Sequence, residues 1–340
     1  MKRILVLLLV AAMALICIPA LAEGAYFSGE RGNNSRPALA VVNGQVYGLS
    51  GHEGAMAMFT PAVERWSPSG KRTRVGQNAF LNSEIGYISG AGDALLILRE
   101  ERNWLELLDP TAAFTPRAEL WYPATGRSVR IPDGAFALQG RLFVYRDGQL
   151  QQLSADGREV VASWAGKPVY RWDSFILLQD GERHQVLEIA SGVCWDVTAL
   201  KLDLGWSTEA VVEDGVMYLL EGAALTAIDL RDGARECLLS FPEDAYSTFL
   251  LDAERVILLC SKKRGEPATS AVYDRATLAC TQTFTHRTNP VDALLVGDQL
   301  YMRDPYGFTY LGAQERWSDP ASASIIDLTT GSEVYWELNE

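Results

Sequence analysis

The side chains of this 340-residue chain best suited to chemistry are aromatic and cationic, and they gather in three stretches. Residues 51–62 (GHEGAMAMFTPA) carry Phe59 with His52, Met56 and Met58. Residues 100–117 (EERNWLELLDPTAAFTPR) carry Arg102, Trp104 and Phe114. Residues 304–322 (DPYGFTYLGAQERWSDPAS) carry Tyr306, Phe308, Tyr310, Arg316 and Trp317. Aromatic residues and arginine are enriched at binding hot spots. Flat rings suit the faces of a sugar or a peptide side chain, and Arg102 and Arg316 would orient a polar or acidic group. The same composition also suits three loops that pack on one another as a cap.

Catalytic signatures are missing from the sequence. There is no G-x-S-x-G elbow, no H-E-x-x-H, no phosphate loop, no C-x-x-C pair and no D-x-D-x-D calcium loop. The three histidines, His52, His184 and His286, come from separate copies of the repeat set out below and open on one face of it, and their convergence on a metal is not expected. Paired carboxylates could still form a glycosidase site, but the sequence does not say which would meet. The chain therefore implies no cofactor, no metal and no assignable catalytic residue.

What must position the three stretches is a repeat. A turn followed by an apolar strand recurs seven times, at Asn43-Gly44, Gly92-Asp93, Gln139-Gly140, Trp172-Asp173, Asp214-Gly215, Ala253-Glu254 and Gly297-Asp298. A second hairpin follows each, as in AIDLRDGARECLLSF and IIDLTTGSEVYWEL. Short apolar runs bounded by Gly, Asp and Asn read as strands. A period of about 45 residues reads as a propeller blade. Four antiparallel strands cannot bury both faces alone, whereas a ring of such sheets buries both. The expected fold is all-β, a seven-bladed β-propeller of four-stranded antiparallel blades. It occupies residues 23–340 as a single domain.

In a four-stranded meander, the connections after the second and fourth strands open on one face. The three aromatic stretches all follow second strands, in copies seven, one and two, which ring closure makes neighbours. Trp164, Trp206 and Tyr246 are expected in the fourth-to-first connections of copies three, four and five, where they either stack on a ligand at the channel mouth or pack against the next blade. Asp229, Asp274 and Asp327 begin third-to-fourth turns, where an Asp side chain bonds nearby amides. That makes them scaffold.

Residues 1–22 read as a secretory signal peptide cleaved after Ala22. Lys2 and Arg3 precede an apolar run that is short for a membrane span, and Ala20-Leu21-Ala22 supplies the small residues of a cleavage site. Ile16 before Cys17 argues against lipidation. The chain is thus expected to be bacterial and either secreted or periplasmic, with no membrane span in the mature part. Its formal net charge of −13 repels nucleic acid and anionic lipid. Cys194, Cys237 and Cys280 fall on the fourth strands of three blades and Cys260 near the end of a second strand. These placements are too far apart for disulfides, so free thiols are expected.

The second halves of copies one and two share T-P-x-x-E-x-W-x-P, as Thr60, Pro61, Glu64, Trp66, Pro68 and Thr115, Pro116, Glu119, Trp121, Pro123. This resembles the third strand and turn of kelch-type repeats. Copy seven, with Asp327, Thr330 and Gly331, resembles the turn of quinoprotein-like propeller repeats. The kelch double glycine and the adjacent cysteines of quinoprotein dehydrogenases are both missing. The resemblance implies architecture only, and no cofactor carries over.

The functional expectation is a monomeric, non-enzymatic binding module. Its partner would be a glycan, a peptide or an envelope protein, held by Phe59, Arg102, Trp104, Tyr306, Phe308, Tyr310, Arg316 and Trp317. The alternatives are a propeller enzyme, a hydrolase or lyase acting on extracellular polysaccharide, and a structural cell-envelope protein.

Overall fold

The computed structural model describes residues 38–50, 62–75, 83–101, 115–202, 204, 209–242, 246–261, 266–304, 308–311, 314–317 and 321–338. They form seven four-stranded antiparallel sheets arranged as the blades of a propeller. Blade one comprises Leu39–Val42, Gln45–Leu49, Val63–Trp66 and Arg72–Arg74. Blade two comprises Ser83–Ala91, Ala94–Glu101, Thr115–Tyr122 and Arg127–Arg130. Blade three runs from Phe136 to Ala165, blade four from Lys167 to Asp196, blade five from Glu209 to Ser240 and blade six from Thr248 to His286. Blade seven pairs Asp292–Val296, Gln299–Asp304, Ser322–Asp327 and Ser332–Glu337 in that order. Each blade draws its four strands from one stretch of the chain, so among the described residues no strand is exchanged between the first blade and the last.

All seven first-to-second turns fall where the sequence places them. Asn43 and Gly44 illustrate the reason. Both have positive φ, 51° and 72°, as a two-residue hairpin turn matched to strand twist requires. The Asp turns are also scaffold. Asp327 Oδ1 accepts the amides of Thr329 and Thr330 at 2.8 and 3.2 Å, and Asp274 Oδ1 accepts the amide and hydroxyl of Thr277 at 2.7 and 2.6 Å.

Seven apolar clusters hold the ring, one per blade interface. Blade six shows how one strand serves two of them. Val256 and Leu258 pack toward blade five, while Ile257 and Leu259 pack toward blade seven. Alternate side chains leave a strand on opposite faces. A sheet buried on both faces therefore reads as an unbroken apolar run, here Val256 to Leu259. Fourth strands lie at the rim and are largely exposed, as in Arg235–Ser240 and Val160–Ala165. Cys194, Cys237 and Cys280 lie on such strands, and all four cysteines described are free thiols.

Two of the expected loops are partly strand. In blade two the ladder continues to Glu101 opposite Thr115, so Glu100 and residues 115–117 belong to the sheet. In blade seven, Phe308–Leu311 pairs with Gln314–Trp317 as a separate two-stranded hairpin. The physical reason is the same in both. Two chain segments running side by side satisfy their backbone groups by pairing with each other.

Candidate functional site

The three aromatic stretches root side by side on one face. In blade one the Ser50 amide donates to the Ala62 carbonyl at 2.8 Å, and the Ala62 amide donates to Ser50 Oγ at 2.9 Å. The roots in blades two and seven are the pairs Glu101–Thr115 and Asp304–Ser322. Blade one packs on blade two through Val42, Tyr47 and Leu95, and on blade seven through Val46, Trp66 and Ile325. By contrast, blades three, four and five close the same connection with two residues each: Asp147-Gly148, Gly181-Glu182 and Gly222-Ala223. Blade six, at 260–267, is intermediate in length.

Phe59, Arg102, Trp104 and Tyr306 lie outside the described residues, as do His52 and Trp206. Phe308, Tyr310, Arg316 and Trp317 lie on the blade-seven hairpin. Its register pairs Phe308 with Trp317, Thr309 with Arg316 and Tyr310 with Glu315.

Beneath the blade-seven root lies a buried polar cluster that the sequence reading did not identify. Arg303 and Asp304 end the second strand, each 1% exposed. Being adjacent on a strand, they serve opposite faces. Arg303 turns to blade one and donates from Nε to the Leu49 carbonyl at 3.1 Å, with Nη1 3.4 Å from Asp292 Oδ2. Asp304 turns the other way and accepts from Asn289 Nδ2 at 3.1 Å. The one available signal was QLYMRD, where two charges close an apolar run.

The cluster continues toward blade six. Ser270 Oγ lies 2.7 Å from His286 Nε2, and His286 Nδ1 lies 2.8 Å from the Thr288 carbonyl. A carbonyl only accepts, so Nδ1 carries a proton, and in the neutral ring Nε2 accepts from the serine hydroxyl. This is the order of atoms found in an activated nucleophile. Here both residues are 0% exposed, and Ser270 Oγ also accepts the Cys260 amide at 3.0 Å. A substrate has no access, and the pair ties strands together. Thr288 extends the chain to Ser324 at 2.5 Å, and Ser324 donates to Glu333 at 2.7 Å. Arg287 completes it with an ion pair to Glu333 at 3.0 Å.

His184 lies in the third strand of blade four, apart from His286. Among the described residues no three His, Cys, Asp or Glu side chains converge to hold a metal. No helix among them is long and apolar enough to cross a membrane.

The other aromatic candidates pack against neighbouring blades. Trp164 sits on the fourth strand of blade three beside Phe143, in the cluster shared with blade four. Tyr246 meets Phe241 edge-on at 5.0 Å, between blades five and six, and burial pushes its phenol up. A separate buried cation, Arg171, lies 4.5 Å over the Phe136 ring, and burial pushes its guanidinium down to about 10.

The junction of blades seven and one has a chemistry of its own. Trp66 and Trp336 meet edge to face with centroids 4.9 Å apart. Among the described residues, four buried side-chain atoms have no hydrogen-bond partner: Glu64 Oε2, Trp66 Nε1, Ser322 Oγ and Trp336 Nε1. All belong to these two blades. Glu64 and Trp66 share a strand face, so three of the four face this junction.

No family model matches the chain. No curated protein matches it. Among solved structures it is similar to a chain in "Crystal Structure of Mitotic Checkpoint Complex", with 9% identity and a TM-score of 0.48 over 79% of this chain and 87% of that one. It is also similar to the computationally designed Ika8 protein, with 13% identity and a TM-score of 0.45 over 91% and 87% of the two chains.

Proposed function

We propose that this protein is an exported, non-enzymatic binding module whose contact surface is formed by the insertions after the second strands of blades seven, one and two. The observation that carries the reading is the asymmetry of one face. Three adjacent blades bear long insertions there, while blades three to five close the same connection with two-residue turns. Long loops on a rigid scaffold are where recognition concentrates. Phe308, Tyr310 and Trp317, with Phe59, Trp104 and Tyr306, supply flat apolar area. Arg102 and Arg316 orient a polar or acidic group. The partner class is a glycan, a peptide or an envelope protein.

The test is binding to glycan and peptide arrays, repeated with Trp104→Ala and Trp317→Ala. Loss of a wild-type signal in either variant supports the platform. A signal unchanged in both places the contact surface elsewhere. Export rests on residues 1–22, and a secreted or periplasmic product beginning at Glu23, read by intact mass, is the expected result.

A further inference from the structure

We infer that the junction of blades seven and one is the joint at which this ring opens, and that Arg303 is its latch. The inference does not depend on what the insertions bind. The chain links each blade to the next, which keeps separated neighbours at high effective concentration. Blades seven and one, at the two ends of the repeat, lack that link, and no strand among the described residues passes between them. Among the described residues their union rests on side-chain contacts.

Those side chains are poorly satisfied by the standard of the other interfaces. Blades four and five are tied by the Val212 amide to Ser174 Oγ at 2.8 Å and the Asp214 amide to Glu188 Oε1 at 2.5 Å. Blades six and seven are tied by Arg255 to Asp298 at 2.7 Å and by the Thr288–Ser324–Glu333 chain. At the seven–one junction, Glu64 Oε2, Trp66 Nε1 and Trp336 Nε1 are buried without a partner. Groups that lose hydration on closing and gain no bond favour the open state. Opposing them, Arg303 reaches across to the Leu49 carbonyl, one residue from the root of the blade-one insertion, and is itself followed by the root of the blade-seven insertion. Opening at this joint moves the two roots relative to each other.

Thiol labelling tests this. Ala323 and Ala118 are both 0% exposed, both on third strands, and both face the next blade, Ala323 at this junction and Ala118 at the two–three interface. With the five native cysteines replaced by serine, Ala323→Cys and Ala118→Cys are labelled under native conditions. Ala323→Cys is expected to react faster by about tenfold or more, the scale of a few unmet hydrogen bonds. Arg303→Met should widen the ratio, and Trp66→Phe, which removes one unpartnered donor and keeps a ring, should narrow it. Equal rates at the two sites overturn the inference, as does an Arg303→Met variant that speeds both sites alike. If Arg303→Met does not fold, the native ratio and its response to Trp66→Phe decide the matter.

Discussion

Trp66 of the first blade and Trp336 of the last meet edge to face at 4.9 Å, with both indole N–H groups buried and unpartnered. The rings therefore contribute packing and no hydrogen bond. Trp336→Ala is expected to cost about 3–5 kcal/mol by removing that packing. Trp336→Phe should cost much less, because it also removes the unpartnered donor. Urea midpoints of the two variants check the contrast.

Gly48 is predicted to be intolerant of any side chain. A Cβ there would lie 2.3 Å from a Trp66 ring carbon. Gly48→Ala should therefore destabilise by about 1–3 kcal/mol, the usual cost of overpacking. Gly44→Ala has open space around it, and its cost should come from the positive φ alone. Thermal melts of both variants separate packing from backbone strain.

Ser270→Ala is expected to destabilise the protein by about 1–3 kcal/mol, because it removes the bonds that the serine hydroxyl makes to His286 Nε2 and to the Cys260 amide. Denaturant unfolding measures it. If Ser270 were a nucleophile instead, a serine-directed phosphonate would label the folded protein, and no label is expected.

Acid should weaken the turns of blades six and seven. The Thr277 hydroxyl and amide hold the Asp274 carboxyl below its ordinary value, and the Thr329 and Thr330 amides do the same for Asp327. A folded value below the unfolded one gives stability that is present above the unfolded value, about 4, and lost as pH falls through the folded one. The Asp274→Asn, Asp327→Asn double variant should lose less stability than wild type across that window. Melting temperatures from pH 7 down to pH 2 test it.

Arg275 braces blades five and six. It pairs with Glu213, donates to Tyr218 Oη at 3.2 Å and caps the Asp252 carbonyl at 2.7 Å. Arg275→Ala should cost about 2 kcal/mol, allowing for its partial exposure. Arg275→Lys should recover little, because an ammonium cannot serve the three acceptors from one planar fork.

Much of the scaffold was legible because its signals are local. Asn43-Gly44 and Asp214-Gly215 announce turns through backbone requirements that few residues meet. Asp274 and Asp327 bond amides two or three residues away. Cys194, Cys237 and Cys280 could be placed on fourth strands by counting from those turns. Illegible were Arg303, Asp304 and His286 as one buried cluster. Arg303 meets a carbonyl 254 residues distant, and no local pattern specifies such a partner. The extended ladder of blade two escaped for a related reason. Its Glu100–Pro116 pairing joins residues whose composition reads as loop.

By itself the sequence determined the number of blades, the order of their strands and the adjacency of three insertions. Each follows from turn chemistry and from the two-residue period of a strand, both of which act within a few residues. Only the tertiary structure decided what each buried face meets and how well. Three unmet polar atoms at the seven–one junction, the latch from Arg303 to Leu49, and the inaccessible serine–histidine pair all arise when distant blades close a ring. Ring closure brings together side chains that local periodicity places on a face without naming the neighbour across it.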